Sequence, residues 1–133
     1  MTSERADRCP FCPPDIESKV LERCGAVVAI ADKCPVTNGH MLILPVRHTP
    51  DFFSMTPPEK RDADRLIQVL RDRIEASDQT VTGFNIGVNC GASAGQTIMH
   101  AHIHLIPRRD GDMPQPKGGV RGVIPDRRVY ADR

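Results

Sequence analysis

The sequence predicts an α+β fold: a mainly antiparallel sheet of four or five strands around one long helix, followed by an extended C-terminal arm. Three observations carry this. Short apolar runs are bounded by Gly, Pro and Asn; one long stretch has apolar residues at helical spacing behind a cap; two further stretches alternate apolar and polar residues.

Taken in order, the chain is polar until Cys9-Pro10-Phe11-Cys12-Pro13-Pro14, a proline-stiffened turn presenting two thiols. Lys19–Cys24 and Gly25–Ala31 read as two short strands with Gly25 at the turn. Val27, Val28, Ala29 and Ile30 form a continuous apolar run, the pattern of a strand buried on both faces. Asp32–His40 is a loop marked by Pro35, Asn38 and Gly39, and Met41–Leu44 is a further apolar strand closed by Pro45. Thr56-Pro57-Pro58-Glu59 is a capping box with proline at the first helical position. Behind it Ala63, Leu66, Ile67, Leu70 and Ile74 share one helical face, and the helix is expected to end near Ser77 or Asp78. From Gly83 the period becomes two, with Phe84, Ile86 and Val88 opposite Asn85, Gly87 and Asn89. After the loop Gly91–Gly95, a second alternating segment runs from Thr97 to Ile106. From Pro107 periodicity is lost: four prolines and four glycines accompany seven basic and four acidic residues, a net +3 on an otherwise slightly acidic body.

Composition sets the outer bounds. A chain of 133 residues suits a single domain, here 1–133 with a core at 9–108 and the arm at 109–133. Hydrophobic and charged fractions of 39% and 26% are those of a folded globular protein rather than a disordered one. Eighteen basic against 17 acidic residues give a net charge of +1, and five aromatic residues offer little stacking surface, so nucleic acid is not the expected partner. No apolar run approaches the roughly 20 residues of a membrane span, and Met1–Asp7 lacks the apolar centre of a signal peptide. A cytoplasmic location is therefore expected. The five cysteines fit a reducing compartment, being an odd set with one spaced pair.

The chemistry concentrates in Gln96-Thr97-Ile98-Met99-His100-Ala101-His102-Ile103-His104-Leu105-Ile106. In extended backbone alternate side chains share a face, so three histidines line up ~6.6 Å apart while Ala101, Ile103 and Leu105 face the core. Such a row can divide labour among a metal ligand, a nucleophile and a proton donor. Cys9 and Cys12 supply two thiolates, and tetrahedral zinc needs two more donors; His48 and His100, at strand ends, are the candidates. A redox pair is the alternative, although no strand–helix βαβ unit follows it. The loop Asn89–Thr97 is rich in small residues that let backbone N–H groups approach a phosphate, but it lacks P-loop and dinucleotide-fold spacing. On its own such a loop is more often a plain turn; its place immediately before three aligned histidines favours an anion site.

His100-Ala101-His102-Ile103-His104-Leu105-Ile106 resembles the histidine triad, His-φ-His-φ-His-φ-φ, of the HIT superfamily of nucleotide hydrolases and transferases. The likeness extends over Asp32–His48 and Phe84–Arg108, and within the superfamily it points to the zinc-bearing, bacterial-type hydrolase branch. The resemblance implies a homodimeric α+β domain, paired through the long helices and an edge strand, that binds a purine nucleotide. It implies catalytic roles for His102, the nucleophile at the α-phosphorus, and His104, which meets phosphate oxygens and assists the leaving group. Asn89, Gly95, Gln96 and Thr97 match phosphate-binding positions, Asp32 the residue holding the ribose hydroxyls, and His40 a histidine supporting the triad. Cys9, Cys12, His48 and His100 match the ligands of a structural zinc. Histidine rather than glutamine at the third triad position favours hydrolysis, of a phosphoramidate or a dinucleoside polyphosphate. Two questions stay open in the sequence. The basic arm either closes over a polyphosphate through Arg109, Lys117 and Arg121 or is a solvated or packing tail. The protein is either an enzyme or a nucleotide-binding regulator or scaffold with little turnover.

Overall fold

The computed structural model describes residues 9–131; the polar N-terminus read above and the last two residues of the arm lie outside them. The chain forms β1 (Val20–Cys24), β2 (Val27–Ala31), β3 (Met41–Pro45), α1 (Pro57–Ser77), β4 (Val81–Gly87) and β5 (Ile103–Arg109). The strands make one sheet in the order β1-β2-β3-β5-β4, with every neighbouring pair antiparallel. The α+β architecture expected from the sequence is thus the observed one.

Helix α1 starts where its capping box dictates. Thr56 Oγ1 accepts the Glu59 N–H at 3.2 Å and Glu59 Oε1 accepts the Thr56 N–H at 2.8 Å. Glu59 is buried and also takes a two-pronged hydrogen bond from Arg47 (Nε–Oε2 3.0 Å, Nη2–Oε1 2.9 Å), tying the chain just before His48 to the helix start. Ala63, Leu66 and Leu70 share one core with Val27, Ala29, Ile43, Ile103 and Leu105 of the sheet and with Ala101 just before β5, with Ile67 and Ile74 at the margin.

The opposite sheet face explains why β2 is apolar throughout. Val28, Ile30, Leu42 and Leu44 are covered by Cys9, Phe11, Cys12 and Ile16 from the N-terminal segment. Strands β2 and β3 therefore have protein on both faces, as the unbroken run Val27–Ile30 requires. Gly25 closes the β1–β2 turn at φ +54°, and a Cβ there would lie 2.3 Å from Asp62 Oδ2, the oxygen that accepts the Ala26 N–H at 3.0 Å. Glycine lets that turn dock on α1 with the Asp62–Ala26 hydrogen bond in place.

The limits of β1, β2 and β3 shift by one or two residues from the sequence reading, and those of β4, β5 and the arm differ for identifiable reasons. Strand β4 begins at Val81, two residues before Gly83, with a register shift between Val81 and Gly83. Strand β5 begins at Ile103, not Thr97, because the Ala101 N–H pairs with the Thr49 carbonyl (2.8 Å) instead of a neighbouring strand. It continues through Pro107 to Arg109. The arm is not uniformly extended either: Gly119–Val123 and Pro125–Arg127 form 3-10 turns, and the first packs against β4.

Candidate functional site

Two segments share the sheet face opposite α1: the N-terminal segment covers β2 and β3, and the arm lies against β4. The histidine row emerges between them. His104 lies in β5, paired with Leu42 of β3 and Gly87 of β4. His100 and His102 precede the strand, yet the buried–half-buried alternation continues through Ala101, Ile103 and Leu105. The expected common face is therefore kept by extended backbone without a full ladder.

Hydrogen-bond partners fix the tautomer of each ring. His100 Nε2 lies 2.8 Å from the Pro45 carbonyl, which only accepts, so this nitrogen carries the proton and Nδ1 presents a lone pair. His102 is the reverse: Nδ1 donates to the His100 carbonyl at 2.8 Å, leaving Nε2 with the lone pair. His40 Nδ1 accepts the Val36 N–H at 3.1 Å, which leaves the proton on Nε2. That Nε2–H faces His104 Nδ1 at 2.9 Å, so neutral His104 carries its own proton on Nε2. The rings of His102 and His104 are 5.4 Å apart. These partners leave a nitrogen with a free lone pair at position 102 and an N–H donor at position 104.

Asp32 stands beside this pair, its Oδ2 3.3 Å from His40 Nε2 and 3.9 Å from His104 Nδ1, while Oδ1 accepts the Cys34 N–H. Burial holds His40 below the ordinary histidine range, against the pull of Asp32. Burial likewise depresses His104, assisted by His102 and His40, with Asp32 opposing. Both rings are neutral at pH 7. Phe11 packs edge-on against His102, with centroids 5.1 Å apart and planes at 72°. Sequence reasoning did not single out Phe11; its place between the two cysteines is the signal that ties it to the row.

The loop before the triad is built as a compact turn. Gly91 (φ +90°) and Gly95 (φ +94°) flank the 3-10 turn Ala92–Ala94. Gln96 is buried, its Oε1 accepting the Gly91 N–H at 2.9 Å and its Nε2 donating to the Pro50 and Ile98 carbonyls at 2.6 and 3.0 Å. Its side chain therefore clamps the loop to the His48 segment. Thr97 is exposed beside it, and Asn89 sits on the wall of a cavity that also reaches His104.

At the buried end of the row, donor atoms of Cys9, Cys12, His48 and His100 all lie within 4.8 Å of one another. Both sulfurs are 3.5 Å from His100 Nδ1; Cys12 Sγ is 3.2 Å from His48 Nδ1, and the two Nδ1 atoms are 3.2 Å apart. A tetrahedral zinc, with Zn–S ~2.3 Å and Zn–N ~2.0–2.1 Å, sets such edges at ~3.6 Å for S···N and ~3.3 Å for N···N. The donor set fits. Burial, and then the adjacent Cys9, pushes the Cys12 thiol up to about 12, so a coordinating cation is what would draw its proton off. Cys24, Cys34 and Cys90 are free thiols outside this cluster.

An antiparallel α+β sheet presenting three alternate histidines beside a glycine-flanked turn defines a histidine-triad protein. The HIT domain matches residues 14–111, and the chain belongs to the HIT family. It is 38% identical over 104 residues to an uncharacterized HIT-like protein of Mycobacterium tuberculosis, covering 77% of this chain and 72% of that one. It is 32% identical over 100 residues to the asymmetrical bis(5'-nucleosyl)-tetraphosphatase of Schizosaccharomyces pombe, with 75% of this chain aligned. The chain spans only about half (54%) of that relative's length. Among solved structures, a Zn-bound histidine triad family protein from Mycobacterium smegmatis superposes with a TM-score of 0.72 at 30% identity, over 83% of this chain and 81% of that one.

Proposed function

We propose that this protein is a nucleotide hydrolase that cleaves a nucleoside phosphoramidate or dinucleoside polyphosphate at the α-phosphorus through a nucleotidyl-His102 intermediate. One observation carries the reading: His102 Nε2 is left with a lone pair while its neighbour His104 holds an N–H. His102 Nε2 attacks phosphorus, a P–N bond forms, and the bond to the leaving group breaks as its departing atom takes the His104 Nε2 proton. Water then attacks the same phosphorus, the P–N bond to His102 breaks, and the water proton restores His104. The tetraphosphatase activity named for the fission-yeast relative supports this class of reaction.

Asp32 is assigned to the ribose hydroxyls, with His40 fixing His104 from behind. Asn89, Gly95 and Thr97 are assigned to the phosphates, with Gln96 shaping their loop through its buried amide. Cys9, Cys12, His48 and His100 would hold zinc, which when bound supplies structural cross-linking rather than reaction chemistry; the Zn-bound relative supports this. Edge strand β4, whose Ile86 is half exposed, and α1 are the proposed homodimer contacts. His102→Ala is expected to reduce hydrolysis of adenosine 5'-phosphoramidate at least ~1000-fold while nucleotide affinity, measured by calorimetry, is kept. Undiminished turnover by that variant would overturn the assignment, and wild-type binding without turnover would favour a regulatory binding protein.

A further inference from the structure

Phe11 bridges the Cys/His cluster and the middle of the histidine row. Its N–H donates to Cys9 Sγ at 3.4 Å, and the Cys12 N–H donates to the Cys9 carbonyl at 3.1 Å. One tight turn therefore carries both thiols and the phenyl ring. The ring is 8% exposed and shares a core with Ile16, Val28, Ile30, Leu42 and Leu44. From there it meets two histidines edge-on: His100, with centroids 6.0 Å apart and planes at 88°, and His102, at 5.1 Å and 72°. His100 belongs to the four-donor cluster, whereas His102 does not.

His102 needs such a neighbour. Among the described residues its side chain makes one hydrogen bond, from Nδ1 to the His100 carbonyl at 2.8 Å. That acceptor is well fixed: His100 Nε2 donates to the Pro45 carbonyl, Nδ1 lies in the cluster, and the next N–H, that of Ala101, donates to the Thr49 carbonyl. A single hydrogen bond still lets an imidazole swing about the Nδ1···O line. A displacement of about 1 Å at a reacting atom costs on the order of 100-fold in rate. Ring contacts limit the swing, from His104 at 5.4 Å and from Phe11. Of these two, only Phe11 comes from outside the histidine row.

We infer that Phe11 is a positioning residue: the Cys9–Cys12 turn holds its ring against His102, keeping Nε2 aligned for attack, so that filling the Cys/His cluster orders the nucleophile at a distance. The inference rests on the nucleotidyl-His102 reading and adds a means of regulating that site. Cross-linking Cys9 and Cys12 to His48 and His100 fixes both supports of His102 together, its hydrogen-bond acceptor and its ring neighbour. Without the cross-link the turn is free to lift Phe11 away, and turnover is lost before the fold is.

The test uses the full-length protein supplied with one equivalent of Zn²⁺, alongside Phe11→Leu and Phe11→Met, which stay apolar but lose the ring, and Phe11→Tyr, which keeps it. Two readouts are taken at one fixed pH. One is steady-state kinetics on adenosine 5'-phosphoramidate; the other is the His102 tautomer in long-range proton–nitrogen NMR spectra, assigned by its loss in His102→Ala. Wild type should show the single Nδ1–H tautomer. In Phe11→Leu and Phe11→Met, kcat should fall about 10- to 100-fold with KM within twofold, at wild-type zinc content, while the His102 signal moves to the average of both tautomers. Phe11→Tyr should restore the single tautomer and most of kcat. Chelation should average the wild-type signal well below the unfolding temperature and change that of Phe11→Leu little.

Ringless variants that keep kcat and tautomer would overturn the inference, as would a change confined to KM, which would make Phe11 a substrate contact only. So would a wild-type His102 signal already averaged with zinc, or one unmoved by chelation; this comparison also decides the matter if the ringless variants lose their metal. Absence of turnover by wild type would instead defeat the nucleotidyl-His102 reading, and the tautomer in the ringless variants would still decide whether Phe11 orients the ring.

Discussion

At His40 a backbone N–H, not a charge, sets the direction of a hydrogen-bond chain. The Val36 amide points into Nδ1, Nε2–H points to His104, and the His104 proton is left facing the site. The sequence contains the histidines but not this polarity, because the donor is main chain and any residue type but proline at position 36 supplies it. Gln96 is a similar case: its small-residue surroundings mark a loop, while its buried amide is committed to Gly91, Pro50 and Ile98. If the chain from Val36 matters, His40→Ala should lower kcat about 10- to 100-fold with KM little changed. His40→Gln, whose amide N–H reaches for the same His104 nitrogen, should recover most of the loss. Steady-state kinetics on the three proteins distinguish the outcomes; equal impairment of both variants would show that His40 acts only by filling space.

Local chemistry announces α1 and conceals the start of β5. Thr56, Pro57 and Glu59 specify a helix start within four residues, so α1 begins where the cap places it. The alternation from Thr97 onward reads as strand because period two marks extended backbone, whereas a strand also needs a partner. The Ala101 N–H finds the Thr49 carbonyl, far away in sequence, and the His100 carbonyl finds the His102 ring, a side chain in place of a neighbouring strand. The N-terminal segment shows the opposite balance. Cys9 and Cys12 were legible as ligands, and the structure brings them to His48 and His100 across 36 to 91 residues of sequence. Because Phe11 and Ile16 are nearly its whole apolar anchorage, metal should hold this segment in place. Purified protein is expected to contain close to one zinc per chain, and chelation should lower Tm by roughly 10 °C. Calorimetry with metal analysis checks both; little zinc together with an unmoved Tm would contradict the assignment.

For the whole molecule, a net charge of +1 hides a separation between a basic arm and a slightly acidic body. The arm reads as simply extended in sequence because carbonyls close it, through Arg121, Arg128 and Gly118, and carbonyls leave no periodic trace. Stability should also carry the mark of the buried histidines. His40 and His104 have depressed folded-state values, so the unfolded chain binds protons first as pH falls. Their contribution is complete above the ordinary histidine value of about 6.5 and is lost as pH falls through the lower folded-state values. Urea midpoints should be flat above pH 7 and decline below about 6.5, less steeply in His40→Gln, a comparison that separates this pair from the Cys/His cluster. Midpoints that rise between pH 7 and 5.5 would contradict it.

The most direct measurement of the central claim is denaturing mass spectrometry, with peptide mapping, of protein quenched during turnover of adenosine 5'-phosphoramidate. The account predicts one adenylyl group per chain, on His102, stable to base and labile to acid, and absent from His102→Ala. Turnover without a covalent adduct, or an adduct on another residue, would contradict it.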